Sequence, residues 1–168
     1  MSSIRDAHGH SKTTADSADA WAVIDLVNRL NRAVDEWDMD VLVGSFTEDG
    51  VLHHPRGTVQ GHEQLKRFYD DHRPLTAGVR RACLNHVVDR NDDGTLTVTS
   101  NCLAFRVAEP DAATAVGPEP VTVNRNGLPV IYLYSIWRDL CRKDPLKGWR
   151  IQEKWVASII VNAEASPH

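Results

Sequence analysis

The chain has 168 residues, of which 42% are hydrophobic and 25% are charged, and its formal net charge at pH 7 is -4. This length suits one domain with its own core, and the slightly acidic balance provides no basic surface for nucleic acid or an anionic membrane. No run reaches the roughly 18 apolar residues that span a bilayer. We therefore expect one globular domain whose partners include neither nucleic acid nor a membrane.

Helices are predicted in the first half of the chain. Apolar residues from Trp21 onward recur at intervals of three and four, and Asp38 can cap a second helix. Thr47-Glu48-Asp49-Gly50 predicts a turn that is followed by a short extended piece, and Arg73-Pro74 predicts the end of a third helix. The predicted helices cover residues 17–35, 39–46 and 62–72.

The second half alternates apolar and polar residues with the period of β-strands. Four long strands are predicted at residues 80–89, 95–107, 129–141 and 149–161. Asp93-Gly94 predicts a hairpin between the first two strands. Residues 109–120, which contain three prolines, predict a long hairpin tip or a flexible loop. Helices followed by antiparallel strands favour an α+β fold, in which a curved sheet holds the helices on its concave face around a central pocket.

The two ends are mostly polar. We expect residues 1–17 to be a disordered leader that is neither a signal peptide nor an anchor. Residues 18–162 should form the single domain, and residues 163–168 a tail.

Three cysteines are widely spaced, and each lies in an apolar or strand-like run: Cys83, Cys102 and Cys141. This pattern favours buried thiols in a reducing, cytoplasmic protein over a disulfide framework or a metal site. No metal-ligand spacing, phosphate-binding glycine loop or nucleophile elbow occurs in the sequence. We therefore expect no cofactor and no metal.

Asp35 and His86 are the candidate catalytic residues. Asp35 ends the first helix after an apolar pair, so its carboxylate can point inward, where an unpaired charge would be very costly. Strand alternation puts His86 on one face with Leu84 and Val88, as expected of a pocket residue. An aspartate that orients a histidine and raises its basicity makes a general base. The alternatives are a solvated acidic helix junction for Asp35 and a core or surface position for His86.

Three further side chains are candidates for substrate binding, because a donor near the base would stabilise an enolate or a leaving group. They are His54, Tyr134 and Lys154. His53 and His54 cannot easily ligate one metal ion, since adjacent strand residues point to opposite faces, so at most one of them lines the pocket. Lys154 could instead be a solvated or interface lysine, and Tyr134 could face the core or the exterior.

Four short motifs occur in order along the chain: Ala33-Val34-Asp35-Glu36-Trp37-Asp38-Met39-Asp40-Val41-Leu42, Phe46-Thr47-Glu48-Asp49-Gly50-Val51, Gly61-His62-Glu63-Gln64-Leu65 and Gly148-Trp149-Arg150-Ile151. With the predicted order of helices and strands, they resemble the nuclear transport factor 2-like superfamily, whose fold is a cone-shaped α+β structure of the cystatin-like type. The resemblance covers roughly residues 18 to 162.

Within that superfamily, Asp35 and His86 resemble the Asp–His base of scytalone dehydratase and of the hexachlorocyclohexane dehydrochlorinase group. The resemblance implies that Lys154 occupies the position of an active-site basic residue of the dehydrochlorinases. It also implies that His54 lies near a tyrosine position that serves the substrate carbonyl in scytalone dehydratase. Val34 replaces a tyrosine of scytalone dehydratase, and a second active-site histidine of that enzyme has no equivalent, so we expect a different substrate.

These observations predict a cofactor-independent lyase or isomerase that resembles polyketide cyclases. Its substrate would be a small hydrophobic cyclic or carbonyl-bearing metabolite. His86 would remove a proton from carbon. The alternatives are a non-catalytic ligand-binding or oxygenase small-subunit-like domain, a polyketide-type cyclase, and an epoxide hydrolase-like enzyme, which would ordinarily need an Asp–Arg–Asp cluster. We also expect a homo-oligomer, a dimer or trimer, because aromatic and β-branched residues on the outer sheet face would otherwise form an exposed apolar patch.

Overall fold

The computed structural model describes residues 13–107 and 127–165 of the chain. The predicted loop at 109–120 lies outside the described residues, as do residues 1–12 of the predicted leader and residues 166–168 of the predicted tail. Among the described helices, none combines the length and the apolar character needed to cross a membrane.

Three α-helices occur in the described residues: α1 (Ser17–Glu36), α2 (Met39–Gly44) and α3 (His62–Thr76). Asp16 and Asp38 precede the first two helices, and each carboxylate accepts a hydrogen bond from a backbone N–H three residues later, at 3.1 Å. α1 ends at Trp37, which adopts a left-handed φ of 58°. α3 continues past its predicted end at residue 72, with Pro74 inside the helix near its C-terminus.

In the described residues, seven strands form one curved mixed sheet: β1 (Thr13–Thr14), β2 (Phe46–His54), β3 (Gly57–Gln60), β4 (Val79–Arg90), β5 (Leu96–Arg106), β6 (Val130–Asp144) and β7 (Gly148–Val161). Their spatial order is β1-β4-β5-β6-β7-β2-β3. Neighbouring strands are antiparallel except β2 and β7, which are parallel. The α+β cone is confirmed, and the parallel pair is a feature that the sequence did not reveal.

Alternate residues of the long strands form the concave face of the sheet. On β5, Leu96, Val98, Ser100, Cys102, Ala104 and Arg106 are buried, and most of the residues between them are partly exposed. α1 packs Val23, Val27, Leu30 and Val34 against the same core. The helices therefore cover the concave face, and the candidate site lies between the two layers.

Strand β2 includes the segment that was predicted to be a turn. It starts at Phe46, so α2 also ends earlier than expected. The pairing of β2 with β7 is irregular between Phe46 and Val51. A Cβ on Gly50 would lie 2.9 Å from the Cβ of Phe46. Gly50 therefore permits the side chain of Phe46 to pack closely against the backbone of this irregular strand.

A bulge in β4 changes which side chains point inward. The ladder to β5 is irregular between Leu84 and Val87, where two residues oppose Ser100, and Asn85 adopts a φ of 53°. Leu84 is 46% exposed, whereas the ring Nε2 of His86 is buried. The expectation that Leu84 and His86 share a face is therefore wrong, because the extra residue breaks the period of two.

The described parts of the predicted leader and tail make specific contacts with the domain. Thr13–Thr14 pairs with β4, and Arg90 donates to Asp16 at 2.9 Å. At the other end, Arg106 Nε donates to the carbonyl oxygen of Ala165 at 2.6 Å, and Ala165 is buried. Described residues on both sides of 18–162 thus contact the domain, whereas its predicted bounds stay a prediction.

Candidate active site

A cavity of about 90 Å³ lies between the concave face of the sheet and helices α1 and α3. This volume is several times the roughly 10–15 Å³ that one water needs, so the cavity can admit a small organic molecule. Its walls are largely aliphatic and aromatic, and among the described residues no carboxylate lines it. The polar lining includes Asn31, His54, His72, Arg81, Ser135 and Lys154.

Lys154 and Asp139 form a buried ion pair beside the cavity. They are cross-strand partners on β7 and β6, Lys154 Nζ donates to Asp139 Oδ1 at 2.9 Å, and the residues are 2% and 0% exposed. Lys154 Nζ also lies 4.2 Å from the centroid of the Trp137 ring. Burial raises the pKa of Asp139, and the charge of Lys154 opposes that rise. A buried ion pair often returns less energy than its desolvation costs, which makes this pair a functional candidate.

Several buried polar atoms of the sheet have no hydrogen-bond partner among the described residues: His86 Nε2, Ser100 Oγ, Ser135 Oγ, Trp137 Nε1 and Asp139 Oδ2. They belong to β4, β5 and β6, and they include both donors and acceptors. Each such atom costs about 1–3 kcal/mol when it stays unsatisfied. Of the five residues, Ser135 and Trp137 line the cavity, where a polar ligand or a water would satisfy their free atoms.

The predicted hydrogen bond between Asp35 and His86 does not occur among the described residues. Asp35 Oδ2 accepts from the backbone N–H of Arg81 at 2.7 Å, and Asp35 Oδ1 pairs with the guanidinium of the same residue. Arg81 thus supplies two donors and satisfies the carboxylate that we expected His86 to satisfy. The pairing is corrected to Asp35–Arg81, whereas the catalytic roles of Asp35 and His86 stay predictions.

His86 instead lies within electrostatic reach of Asp139. Burial lowers the pKa of His86, and the negative charge of Asp139 opposes that change. The imidazole is therefore neutral at pH 7, with an unpartnered Nε2. Neither His86 nor Asp139 lines the cavity itself, whereas Trp137 and Lys154 do.

His54 lines the cavity next to His72, with their ring centroids 5.0 Å apart. The backbone N–H of Arg56 donates to His54 Nδ1 at 3.2 Å, and Arg56 Nη1 lies 3.1 Å from His72 Nδ1. Because arginine only donates, both Nδ1 atoms accept, and the single proton of each neutral ring is on Nε2. Burial, helped by the charge of Arg56, lowers the pKa of His54 to about 4. Burial, with the charges of His54 and Arg56, lowers that of His72 to about 4. The two rings are neutral donors at pH 7.

The other predicted binding residues differ in position. Lys154 lines the cavity. Tyr134 does not, because it lies on the convex side of the sheet, where its hydroxyl donates to Asn101 Oδ1 at 3.3 Å. His53 also faces away from the cavity and stacks on Trp155, with the two ring centroids 5.0 Å apart. Within the described residues, no group of three or more His, Cys, Asp or Glu side chains is arranged to hold a metal ion.

A family model of the SnoaL-like domain matches residues 15–154. The chain belongs to the SnoaL-like family. This family is part of the nuclear transport factor 2-like superfamily, so the resemblance drawn from the four motifs is confirmed. SnoaL-like proteins include polyketide cyclases and scytalone dehydratase-like enzymes. No curated protein matches the sequence significantly.

Solved structures share the fold of this SnoaL-like domain at low sequence identity. A cystatin-like protein of unknown function from Nostoc punctiforme is 19% identical with a TM-score of 0.67, and the match covers 86% of this chain and 93% of that one. ActVI-ORFA from Streptomyces coelicolor is 19% identical with a TM-score of 0.64, and the match covers 81% of this chain and 95% of that one. Aln2 from a Streptomyces species is 14% identical with a TM-score of 0.67, and the match covers 86% of this chain and 93% of that one.

Asp139 of this SnoaL-like domain was not among the residues predicted from the sequence. A signal was present, because Asp139 shares strand parity with Trp137 and Cys141, two residues typical of a buried face. A charged residue in such a row, opposite Lys154, indicates an internal ion pair. The alternation of β6 alone indicates that Asp139 is buried, but the register with β7 was needed to identify Lys154 as its partner.

Proposed function

We propose that this SnoaL-like protein is a cofactor-independent acid–base enzyme of the lyase or isomerase class. Its substrate would be a small hydrophobic ring compound with a carbonyl group. The observation that carries the proposal is the buried Lys154–Asp139 pair beside an aromatic-walled cavity, with unpartnered polar atoms around it. Displaced pKa values and unsatisfied buried groups are typical of sites that do chemistry.

Lys154 would bind the carbonyl oxygen. Lys154 lines the cavity, and its Nζ donates to Asp139 and lies against the Trp137 ring. The indole N–H of Trp137 has no partner among the described residues and would supply a second donor. Two donors directed at one oxygen stabilise the negative charge that develops when a proton leaves the adjacent carbon.

His86 would act as the base. It is neutral because burial lowers its pKa, and its unpartnered Nε2 is free to accept a proton. Asp139, rather than Asp35, would stabilise the imidazolium that forms, because the charge of Asp139 already favours the protonated ring. Since His86 lies behind the cavity lining, the substrate would have to reach it directly or through one water.

The neutral rings of His54 and His72 suit the same class of substrate. Each carries its proton on Nε2 and can donate to a second oxygen of the ligand. Elimination, double-bond migration and ring closure all begin with removal of a proton from carbon. An epoxide hydrolase of the Asp–Arg–Asp type is disfavoured, because Arg81 pairs with Asp35 whereas Asp139 pairs with Lys154.

The proposal is tested by exchange of carbon-bound protons in D₂O. We would incubate the protein with 1-tetralone and with cyclohex-2-enone and follow loss of the α-proton signal by NMR. General acid–base catalysis contributes about 10²–10⁴-fold, so the wild type should exceed buffer by at least about tenfold. His86→Gln should lose this acceleration, and Trp137→Phe, which keeps the ring but removes the donor, should reduce it.

His53→Gln is the matched control for His86→Gln, because His53 faces away from the cavity. Its exchange rate should equal that of the wild type. Exchange that is unchanged in His86→Gln, or equally lost in His53→Gln, would contradict the assigned base.

A second candidate function is ligand binding without catalysis. It is favoured by the cavity lining itself, in which the described polar side chains are mainly donors and include no carboxylate. Such a domain would hold a hydrophobic molecule with acceptor groups. Binding of 1-tetralone detected by tryptophan fluorescence, with no proton exchange for either probe, would support this candidate over the enzyme.

We also propose that the protein is a homo-oligomer in a reducing, cytoplasmic setting. Apolar side chains are exposed on the convex face of the sheet, among them Leu84, Val87, Ile136 and Ile160. Burial of this patch against a second copy would remove it from water. Light scattering that gives the mass of a monomer at micromolar concentration would contradict the oligomer.

A further inference from the structure

Cys83 and Cys102 face each other across two neighbouring strands. Cys83 on β4 is the direct partner of Cys102 on β5 in the antiparallel register. Residues directly opposite in such a ladder have Cβ atoms about 4.5–5.5 Å apart, and a disulfide needs about 3.5–4.5 Å. A bond between the two sulfur atoms therefore requires only a small adjustment of the strands.

The two thiols differ in access. Cys83 is partly exposed and lines a polar cleft of about 370 Å³ at the C-terminal half of α1. Cys102 is fully buried. A small reagent that enters the cleft therefore meets Cys83 first.

The surroundings also give the two thiols different reactivity. Asn31 Nδ2 lies 3.0 Å from Cys83 Sγ. The hydrogen bond from Cys102 lowers the pKa of Cys83, with help from the charges of Lys154 and Arg81, whereas the same bond and burial raise the pKa of Cys102. The thiolate is the reactive form of cysteine, so Cys83 is the nucleophile of the pair.

We propose that Cys83 and Cys102 form a site of reversible oxidation by hydroperoxides, with Cys83 as the attacking thiol and Cys102 as the resolving thiol. The Cys83 thiolate attacks one peroxide oxygen, an S–O bond forms as the O–O bond breaks, and the leaving oxygen takes a proton as an alcohol or water. The Cys102 sulfur then attacks Cys83 Sγ, the S–O bond breaks, and hydroxide leaves as water with the Cys102 proton. Two thiols lose two electrons, and the hydroperoxide gains them.

Oxidation of the two cysteines should affect the cavity, because the cleft and the cavity share lining residues. Asn31 and Arg81 line both the cleft and the cavity. The disulfide draws Cys83 Sγ towards Cys102 and removes the acceptor that the Asn31 amide uses. The side-chain amide of Asn31 should therefore shift in NMR spectra when the bridge forms, and it should return on reduction.

The test treats the full chain with tert-butyl hydroperoxide and measures intact mass and free thiols after denaturation. The wild type should lose about 2 Da and drop from three free thiols to one. A non-reducing digest should contain the Cys83–Cys102 cross-linked peptides, a readout that needs no variant. Cys102→Ser should stop at a Cys83 sulfenic acid, about 16 Da heavier and trapped by dimedone.

Cys141→Ser is the matched control, because Cys141 is fully buried and has no thiol opposite it. It should form the bridge as the wild type does. Cross-linked peptides that contain Cys141, or a wild type that gains oxygen without losing about 2 Da, would overturn the proposal, and so would three thiols that survive the hydroperoxide.

Discussion

Lys154→Met removes the only described hydrogen-bond partner of the fully buried Asp139 carboxylate. Lys154 Nζ donates to Asp139 Oδ1 at 2.9 Å, and no other hydrogen bond to Asp139 is formed by the described residues. Methionine fills a similar volume, so the main effect is the loss of the cation. Removal of one member of a buried pair costs about 3–5 kcal/mol. At about 2–4 °C per kcal/mol for a domain of this size, Tm should fall by roughly 6–20 °C.

The stability lost in Lys154→Met should depend on pH in a definite direction. Burial raises the pKa of Asp139 in the folded protein, so the folded state holds the proton more tightly than the unfolded chain does. The corresponding stability is fully present below the unfolded pKa of about 3.9 and is lost as the pH rises through the folded pKa. Loss of Lys154 raises that folded pKa further. The deficit of Lys154→Met should therefore be largest near neutral pH and should shrink towards pH 5.

Urea unfolding at pH 7.5 and pH 5 measures both effects. The double variant Asp139→Leu/Lys154→Met should regain most of the lost stability, because an apolar replacement of a buried pair is often neutral or stabilising. Lys143→Met, at an exposed lysine, should cost no more than about 1 kcal/mol. A loss below about 1 kcal/mol in Lys154→Met, or a double variant less stable than the single one, would contradict the assigned role of the ion pair.

Two further predictions concern stability. Because the pKa values of His54 and His72 are lowered to about 4, the unfolded chain binds protons more readily, and stability should fall as the pH drops from about 6.5 towards 4. The double variant His54→Gln/His72→Gln should flatten that dependence in urea unfolding, and an unchanged slope would contradict it. Trp149 Nε1 donates to the Asp19 carboxylate at 2.9 Å, so Trp149→Phe should cost about 1.5–3 kcal/mol. Trp21→Phe, at an exposed helix position, should cost less than about 0.5 kcal/mol by thermal unfolding, and equal losses in the two variants would contradict the assigned role.

The fold could be predicted from the sequence because its signals are local and repeated. The apolar spacing after Trp21, the Asp38 cap and the Asp93-Gly94 turn each specify an element without knowledge of the rest of the chain. Together with the motif order, these elements predicted the α+β cone. The parallel pairing of β2 with β7 was not predictable in this way, because it joins residues about a hundred positions apart.

The site was harder to predict because it depends on strand register. Period-two alternation placed His86 on the inner face, but the bulge at Asn85 that separates it from Leu84 has no simple sequence signal. Asp35 was expected to need a partner, and it has one. The partner is Arg81, whose backbone and side chain both reach the carboxylate.

We propose that the reactive centre is organised around Asp139 and not around Asp35. NMR titration of His86 in the wild type, in Asp139→Asn and in Asp35→Asn distinguishes the two aspartates. We predict that the pKa of His86 falls in Asp139→Asn, which loses a charge that raises it, and stays at the wild-type value in Asp35→Asn. A pKa that falls in Asp35→Asn and is unchanged in Asp139→Asn would contradict the role of Asp139 and support the Asp35–His86 pairing predicted from the sequence.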